Sequence, residues 1–154
     1  MSYIVGPYDS TREGHVVARE LRLDEARAMA EAALARAAQE DLRVSVAVVD
    51  ALGRDVLVVR GDGATWFTPE VARCKARTAA AFRRDSADLT GLRENYPEVF
   101  DLAGDQLPFR PTTLAGGLLL EHDGDPVGAI GVSGATPAQD VLCAEAGVIA
   151  FPTG

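Results

Sequence analysis

The stretch VSVAVVDALGRDVLVVR, residues 44–60, decides the fold class of this 154-residue chain. Its first half is mostly β-branched and apolar, which is typical of a central strand. Ala51–Arg54 then predicts a turn, and Asp55–Arg60 returns as the hairpin partner. A second hairpin is predicted where Gly117–Glu121 and Pro126–Val132 flank a His-Asp-Gly-Asp turn. The two hairpins indicate antiparallel pairing.

Three helices are predicted around these hairpins. The first covers residues 23–41, where small and apolar residues recur at spacings of three and four. The second covers residues 68–84 and opens with a Thr-Pro pair, with the threonine as N-cap. The last opens at Thr136, which forms a capping box with Gln139. Residues 85–115 predict a short helix and a long ordered loop. The strands thus come in antiparallel pairs rather than singly between helices, which favours one antiparallel sheet covered by helices over a doubly wound fold.

Composition excludes several classes of protein. Hydrophobic residues make up 47% of the chain and charged residues 25%, which is globular rather than disordered. The net charge of −8 disfavours binding to nucleic acid or to a membrane surface. The length predicts a single domain over residues 21–154, preceded by an N-terminal arm over residues 1–20. The chain start does not resemble a signal peptide, so we expect a cytoplasmic protein in which Cys74 and Cys143 are reduced thiols. The sequence has no CxxC motif or Cys/His cluster, so no structural zinc site is predicted.

Lys75 is the first candidate for chemistry. On a helical wheel it falls on the apolar side of the second helix. Most helical lysines are surface residues whose stems lie along apolar neighbours. The alternative is that Lys75 points toward a pocket, where it would pair with a substrate carboxylate or a haem propionate.

Two glycine-containing clusters mark one end of the second hairpin. Gly116 and Gly117 open one strand, while Gly131, Ser133 and Gly134 close its partner and lead into the last helix. Glycine allows a ligand to approach the backbone, and a helix N-terminus favours an anion. Turn glycines with no ligand are the alternative interpretation.

The remaining titratable candidates are isolated. Asp140 and Glu145 lie in the last helix, where single acids are more often surface or capping groups. His15 and His122 lack a second histidine at ligand spacing, so no metal-ion site is predicted. A haem iron needs only one axial histidine, and His15 is the better candidate if the arm folds over a pocket.

Several sequence blocks, in this order, resemble the GlcG/HbpS family, often labelled haem-degrading, which includes the C-terminal domain of PduO proteins. The similarity covers residues 21 to about 151. The blocks that carry it are Leu23–Arg27, Val44–Gly53, Ala72–Ala80, Ala115–Gly117, Val127–Gly134, Gln139–Asp140 and Ala144–Gly147. Residues 92–114 do not align with the family, and Arg22 stands where members commonly have Thr or Ser before the first helix.

The resemblance implies an α/β (α+β) fold, a profilin-like three-layer sandwich with a five-stranded antiparallel sheet flanked by helices. It also implies self-association, as a dimer or as a higher assembly such as a hexamer or octamer. Some members bind haem or corrinoid, and others act on small acids. A family label alone does not assign the activity.

Two functions are therefore predicted. The first is binding of an anionic small molecule, haem or a related tetrapyrrole, in a pocket near a subunit interface. Its ligand-binding residues would be Lys75, Thr78, Phe109, Arg110, Gly116, Gly117, Gly131, Ser133 and Gly134. The alternative is a cofactor-independent isomerase, deaminase or cyclase acting on a small carboxylated substrate, with Lys75, Asp140 and Glu145 as catalytic groups. An oligomeric accessory protein with purely structural glycines is a third possibility.

Overall fold

A computed structural model describes residues 19–152, so most of the predicted arm lies outside the described residues. Its strands are β1 (Ser45–Asp50), β2 (Asp55–Arg60), β3 (Gly117–His122) and β4 (Asp125–Ser133). Its helices are α1 (Leu23–Gln39), α2 (Thr68–Phe82), α3 (Thr90–Asn95), α4 (Pro97–Asp105) and α5 (Pro137–Ala150). A short 3₁₀ turn, Ser86–Leu89, precedes α3.

The strands form one antiparallel sheet in the order β2-β1-β4-β3. The two predicted hairpins are confirmed, with β1 and β4 pairing at the centre. The prediction of five strands is wrong for residues 19–152, which contain four. The long segment between α2 and β3 adds no strand to the sheet: it forms short helices and a loop, and its residues Pro108 and Pro111 have no N–H to donate to a ladder.

Helices cover both faces of the sheet. Alternation along β1 sends Val46 and Val48 into a core shared with α1 and α5. Ala47 and Val49 point the other way, into a smaller cluster with α2. The result is an α+β fold of three layers, with the sheet between the α1/α5 pair and α2.

The cluster under α2 is built from very small side chains. Ala72, Ala76 and Ala79 on the helix are fully buried against the sheet. A Cβ added at Gly131 would overlap the Ala72 carbonyl oxygen and lie 2.8 Å from the Ala76 nitrogen. A Cβ at Gly117 would lie 2.7 Å from the carbonyl carbon of Lys75. The helix backbone therefore rests on the sheet at distances that only glycine permits.

The sequence signals predicted the N-terminal cap of α5 correctly but not that of α2. The capping box of α5 is confirmed, since Thr136 Oγ1 accepts from the Gln139 N–H. The prediction that Thr68 caps α2 is wrong, because Thr68 is already helical and the cap position is Phe67. The Thr68 hydroxyl donates to the Thr65 carbonyl at 2.7 Å instead.

The segment between α2 and β3 is more regular than predicted. The sequence predicts one short helix over residues 85–115, whereas the structure has the 3₁₀ turn and both α3 and α4. The loop over residues 106–116 then returns the chain to the sheet. Both cysteines are free thiols, Cys74 half-buried and Cys143 buried. Within residues 19–152, no helix is long and apolar enough to cross a membrane.

Candidate functional site

A buried ion pair joins α2 to α5. The Lys75 ammonium lies 2.8 Å from Asp140 Oδ2, and each side chain is 3% exposed. Lys75 Nζ also donates to the Val132 carbonyl at 2.9 Å, so the pair is anchored to the end of β4. The predicted residues Lys75 and Asp140 are thus brought together from positions 65 residues apart.

The environment of Asp140 is set by burial and by two donors. Its Oδ1 accepts from the Ala135 N–H at 3.0 Å, at the start of α5. Burial raises the pKa of the Asp140 carboxyl above its ordinary value, while Lys75 and the Ala135 N–H act in the opposite direction. Truncating either charge would leave the other buried without its partner, which is strongly destabilising.

Gly116 makes room for this pair. It has a φ of +119°, and a Cβ there would lie 3.0 Å from Lys75 Nζ and 3.1 Å from Asp140 Cβ. Two of the three ammonium N–H groups are used by protein oxygens. Because the Lys75 side chain is only 3% exposed and already paired with Asp140, its third N–H is closed to a substrate carboxylate in this geometry, which does not favour the enzyme hypothesis.

The other predicted glycines lie against protein backbone. Gly117 donates its N–H to Ser86 Oγ at 3.0 Å. Gly134 has a φ of +136°, and a Cβ there would lie 2.9 Å from the Val44 Cα. Ser133 is buried at the end of β4, and Gly131 lies under α2.

Glu145 is not part of the ion-pair cluster. It is exposed on α5, five residues after Asp140, which places the two side chains about 140° apart around the helix. Glu145 therefore does not lie beside Lys75 and Asp140, the two residues with which it was predicted to act. His15 lies outside the described residues. His122 is half-buried at the end of β3, where its Nε2 lies 3.5 Å from Asp123.

On the side of α2 away from the sheet lies an open groove of about 1220 Å³, bounded by α4 and by the loop after it. The predicted ligand-binding residues Phe109 and Arg110 line it. The other lining residues are Glu70, Val71, Cys74, Arg93, Phe100, Asp101, Gly104, Asp105, Leu107, Pro108, Pro111, Thr112 and Leu114.

Two hydrogen bonds fix the loop to α2. Thr78 Oγ1 accepts from the Thr112 N–H at 3.2 Å and donates to the Cys74 carbonyl at 2.8 Å. Cys74 Sγ donates to the Arg110 carbonyl at 2.9 Å. Thr78, predicted as a ligand-binding residue, is fully buried and positions the loop.

Cys74 is a groove residue that the sequence interpretation missed, whereas Arg93 and Phe100 lie in residues 92–114, the segment that does not align with the family and that we expected to line a pocket. A signal for Cys74 was available, because Glu70, Val71 and Cys74 are spaced at i, i+1 and i+4 and so share one side of a helix. Arg93 and Phe100 lie on α3 and α4, whose packing no sequence pattern indicated.

The groove carries charges of both signs and a thiol. Arg93 and Arg110 provide two exposed guanidinium groups. Of the acids, Glu70 is already paired with Arg73 at 2.6 Å. Burial raises the pKa of the Cys74 thiol, and the hydrogen bond with Thr78 and the nearby guanidinium groups only partly oppose this. The thiol is therefore protonated at neutral pH.

Comparison with known families gives a consistent result. Residues 21–149 match the family described as haem degrading protein HbpS-like. Corrinoid adenosyltransferase PduO of Salmonella typhimurium is 31% identical over 123 residues, which are 80% of this chain and 36% of PduO. The chain thus spans little more than a third of that relative.

Two solved structures share the fold over nearly the whole chain. A double mutant of HbpS from Streptomyces reticuli is 31% identical with a TM-score of 0.79, covering 96% of this chain and 97% of that one. A complex of PduOC with haem is 29% identical with a TM-score of 0.78, covering 88% of this chain and 98% of that one.

Proposed function

The chain belongs to the HbpS-like family, and on that premise we propose that it binds haem or a related tetrapyrrole in the groove beside α2. The PduOC structure, 29% identical to this chain, is described as a haem complex. Family membership alone does not assign a ligand, so the lining of the groove has to support it.

The size and lining of the groove are the observations that carry this function. Its volume of about 1220 Å³ exceeds the roughly 300–1,000 Å³ of most small-molecule pockets, which suits a large flat ligand. Val71 on α2, Phe100 on α4 and Leu107 with Phe109 on the loop present apolar surface from three sides. Such walls stabilise an apolar macrocycle by removing it from water.

Arg93 and Arg110 would hold the propionates. Both are exposed at the groove, and a guanidinium group binds a carboxylate through two parallel hydrogen bonds. The negative net charge of the chain does not oppose this, because these two cations act at hydrogen-bond distance.

The iron would need a protein ligand from this chain or a second copy. Haem bound here would supply a redox-active iron. Cys74 offers a sulfur atom in the groove, although its thiol would have to lose the proton it shares with the Arg110 carbonyl. His15 stays the predicted axial ligand from the sequence and lies outside the described residues.

Self-association would place the groove near a subunit interface. Tyr96, just before α4, and Val99 and Leu102 on α4 are 63%, 54% and 63% exposed, and none of the three lines the groove. A stripe of large exposed apolar residues is typical of a protein-protein contact. A second copy covering this stripe would hold α4 in place and so support one wall of the groove.

Haem titration followed in the Soret region tests this function. We expect a shifted Soret band with 1:1 saturation at micromolar haem, weakened about tenfold or more in the Arg110→Gln variant. Arg27→Gln, which removes an exposed arginine on α1, is the matched control and should bind as the unmodified protein does. Absence of a saturable Soret shift, or equal affinities for the Arg110→Gln and Arg27→Gln variants, would contradict the assignment to this groove.

A further inference from the structure

A second pocket, of about 290 Å³, shares residues 107–109 with the groove as a common wall. Its other walls are the turn between β1 and β2 and the last part of α2. We propose that this pocket binds the carboxylate of a small organic acid, with Arg77 as its receptor. Haem binding in the groove is not required for it.

Arg77 lines this pocket and has no ion-pair partner within residues 19–152. Its Nε is buried and has no hydrogen-bond partner within residues 19–152. Buried polar groups are nearly always hydrogen-bonded, and those of charged side chains most strongly need it. The Arg77 guanidinium also lies over the Phe109 ring, with Cζ 5.8 Å from the centroid, so it is held at the common wall. A carboxylate entering the pocket would pair with this guanidinium group, which lines the pocket.

The other charged groups of the pocket already have partners. Arg54 pairs with Asp50 at 2.8 Å, on the turn itself. Asp55 accepts two hydrogen bonds from Arg73 at 3.1 Å each. The Arg77 cation is therefore the charge left to attract a ligand, and the ligand it attracts is an anion.

The shape of the pocket narrows the class of anion. A planar carboxylate matches the fork geometry of the guanidinium group. The rest of the pocket wall is largely apolar, formed by Leu52, Ala81 and Phe109. Such a wall suits an acid with a short aliphatic or aromatic body rather than a bare inorganic ion. The volume is too small for a tetrapyrrole but sufficient for an acid of the size of benzoate.

Benzoate is the probe, and the full chain labelled with ¹⁵N is the sample. We expect saturable shifts of the Arg77 Nε–H signal and of the backbone N–H signals of Gly53 and Ala81. Benzamide has the same shape without the charge and should bind at least about tenfold more weakly.

Three variants separate binding from folding. Arg77→Gln should lose benzoate binding by about tenfold or more, whereas Arg27→Gln removes an equal charge elsewhere and should keep it. Because Arg77→Gln could disturb packing, Ala81→Phe provides a second test: Ala81 is exposed on α2, and a phenyl ring there fills the pocket while leaving Arg77 in place. Unchanged benzoate affinity in a folded Arg77→Gln protein or in Ala81→Phe, or equal affinities for benzoate and benzamide, would overturn the site.

The carboxylate could belong to a free acid or to an arm of a larger molecule held in the groove. Haem and its dimethyl ester distinguish these sources, because only haem carries free propionates. Displacement of benzoate by haem but not by the ester assigns the carboxylate to the groove ligand. Benzoate binding that neither compound affects assigns it to a free acid.

Discussion

The side of α2 that faces the sheet and the side that faces α4 differ in residue size, packing and polar contacts. Toward the sheet, the alanines of α2 pack against strand glycines so closely that a Cβ on Gly131 would overlap the helix backbone. The Lys75–Asp140 ion pair on this side is buried, with each side chain 3% exposed. Toward α4, larger side chains leave a groove of about 1220 Å³, and two hydrogen bonds hold the opposite wall.

The contrast shows that one helix packs closely against the sheet on one side and borders an open groove on the other. The side toward the sheet fixes where α2 lies, because small residues allow no other spacing. The side toward α4 leaves apolar and cationic groups exposed in the groove, whereas a packed core would bury them. Substitutions toward the sheet should therefore change stability, and those toward α4 should mainly change what the protein binds.

The largest effect is expected for Lys75→Met. It leaves the buried Asp140 carboxylate without its cation, at a cost of roughly 3–5 kcal/mol in the free energy of unfolding. Urea unfolding at neutral pH measures it. The double variant Lys75→Met/Asp140→Asn removes both charges and keeps the acceptor for the Ala135 N–H, so it should be more stable than Lys75→Met alone.

Acid provides a second check on the same variant. Burial raises the pKa of Asp140, and losing Lys75 raises it further. A raised carboxyl pKa means that the folded state binds the proton more tightly than the unfolded state, so the deficit should shrink as the pH falls through that pKa. A deficit independent of pH would show that the ion pair is not its cause.

Gly131→Ala should have the next largest effect. The new Cβ would overlap the Ala72 carbonyl oxygen, and the helix backbone cannot rotate aside as a side chain can. We expect a loss of about 3 kcal/mol, at the upper end of overpacking costs, measured as a fall in the melting temperature. Gly91→Ala is the control, because a Cβ there meets only Asn95 Nδ2 at 4.0 Å. Equal melting temperatures for the two variants would refute close contact under α2.

Thr78→Val tests the attachment of the groove wall. It removes the acceptor of the Thr112 N–H, at a cost of about 1–2 kcal/mol, less than either substitution toward the sheet. Amide hydrogen exchange should show faster exchange at Thr112 while the strands stay protected. Thr65→Val, at an exposed position, is the control and should change neither quantity; a comparable loss of stability in Thr65→Val would show that the Thr78–Thr112 hydrogen bond is not the cause.

The smallest effect is a difference between two thiols. Cys74 lines the groove and Cys143 is 1% exposed in the core. Burial raises the pKa of both above the ordinary 9.0, so Cys74 should react slowly with iodoacetamide at pH 7, faster as the pH rises, and Cys143 only on unfolding. Peptide mass spectrometry gives both rates. Equal rates in the folded protein would place both thiols in the same environment.

Much of the fold could be predicted from local sequence patterns. The sequence predicted β2 over Asp55–Arg60, as the structure has it, and the Thr136 capping box is confirmed, because each depends on neighbours a few residues away. It predicted one short helix over residues 85–115 and did not resolve it into α3 and α4, which at six and nine residues are too short to show helical periodicity.

The candidate site was less predictable for a different reason. A glycine in a strand indicates that something approaches closely, but the sequence does not say whether this is a ligand or a helix. Gly117 and Gly131 meet the backbone of α2. Likewise, Lys75 and Asp140 find each other across 65 residues, a contact that no local spacing encodes. The groove depends on packing of the segment after α2, which follows from tertiary contacts alone.

The attachment of residues 106–116 has a consequence for engineering. That loop is fixed to α2 through Thr78 and Cys74, while α2 itself is fixed by its contact with the sheet. The segment from α3 to the loop is thus held to α2 by these two hydrogen bonds at its end and by the stacking of Phe100 on Phe82. Grafting a segment of different composition between Thr90 and Arg110 that keeps Phe100 would change the lining of the groove while leaving the sheet and its contact with α2 unchanged.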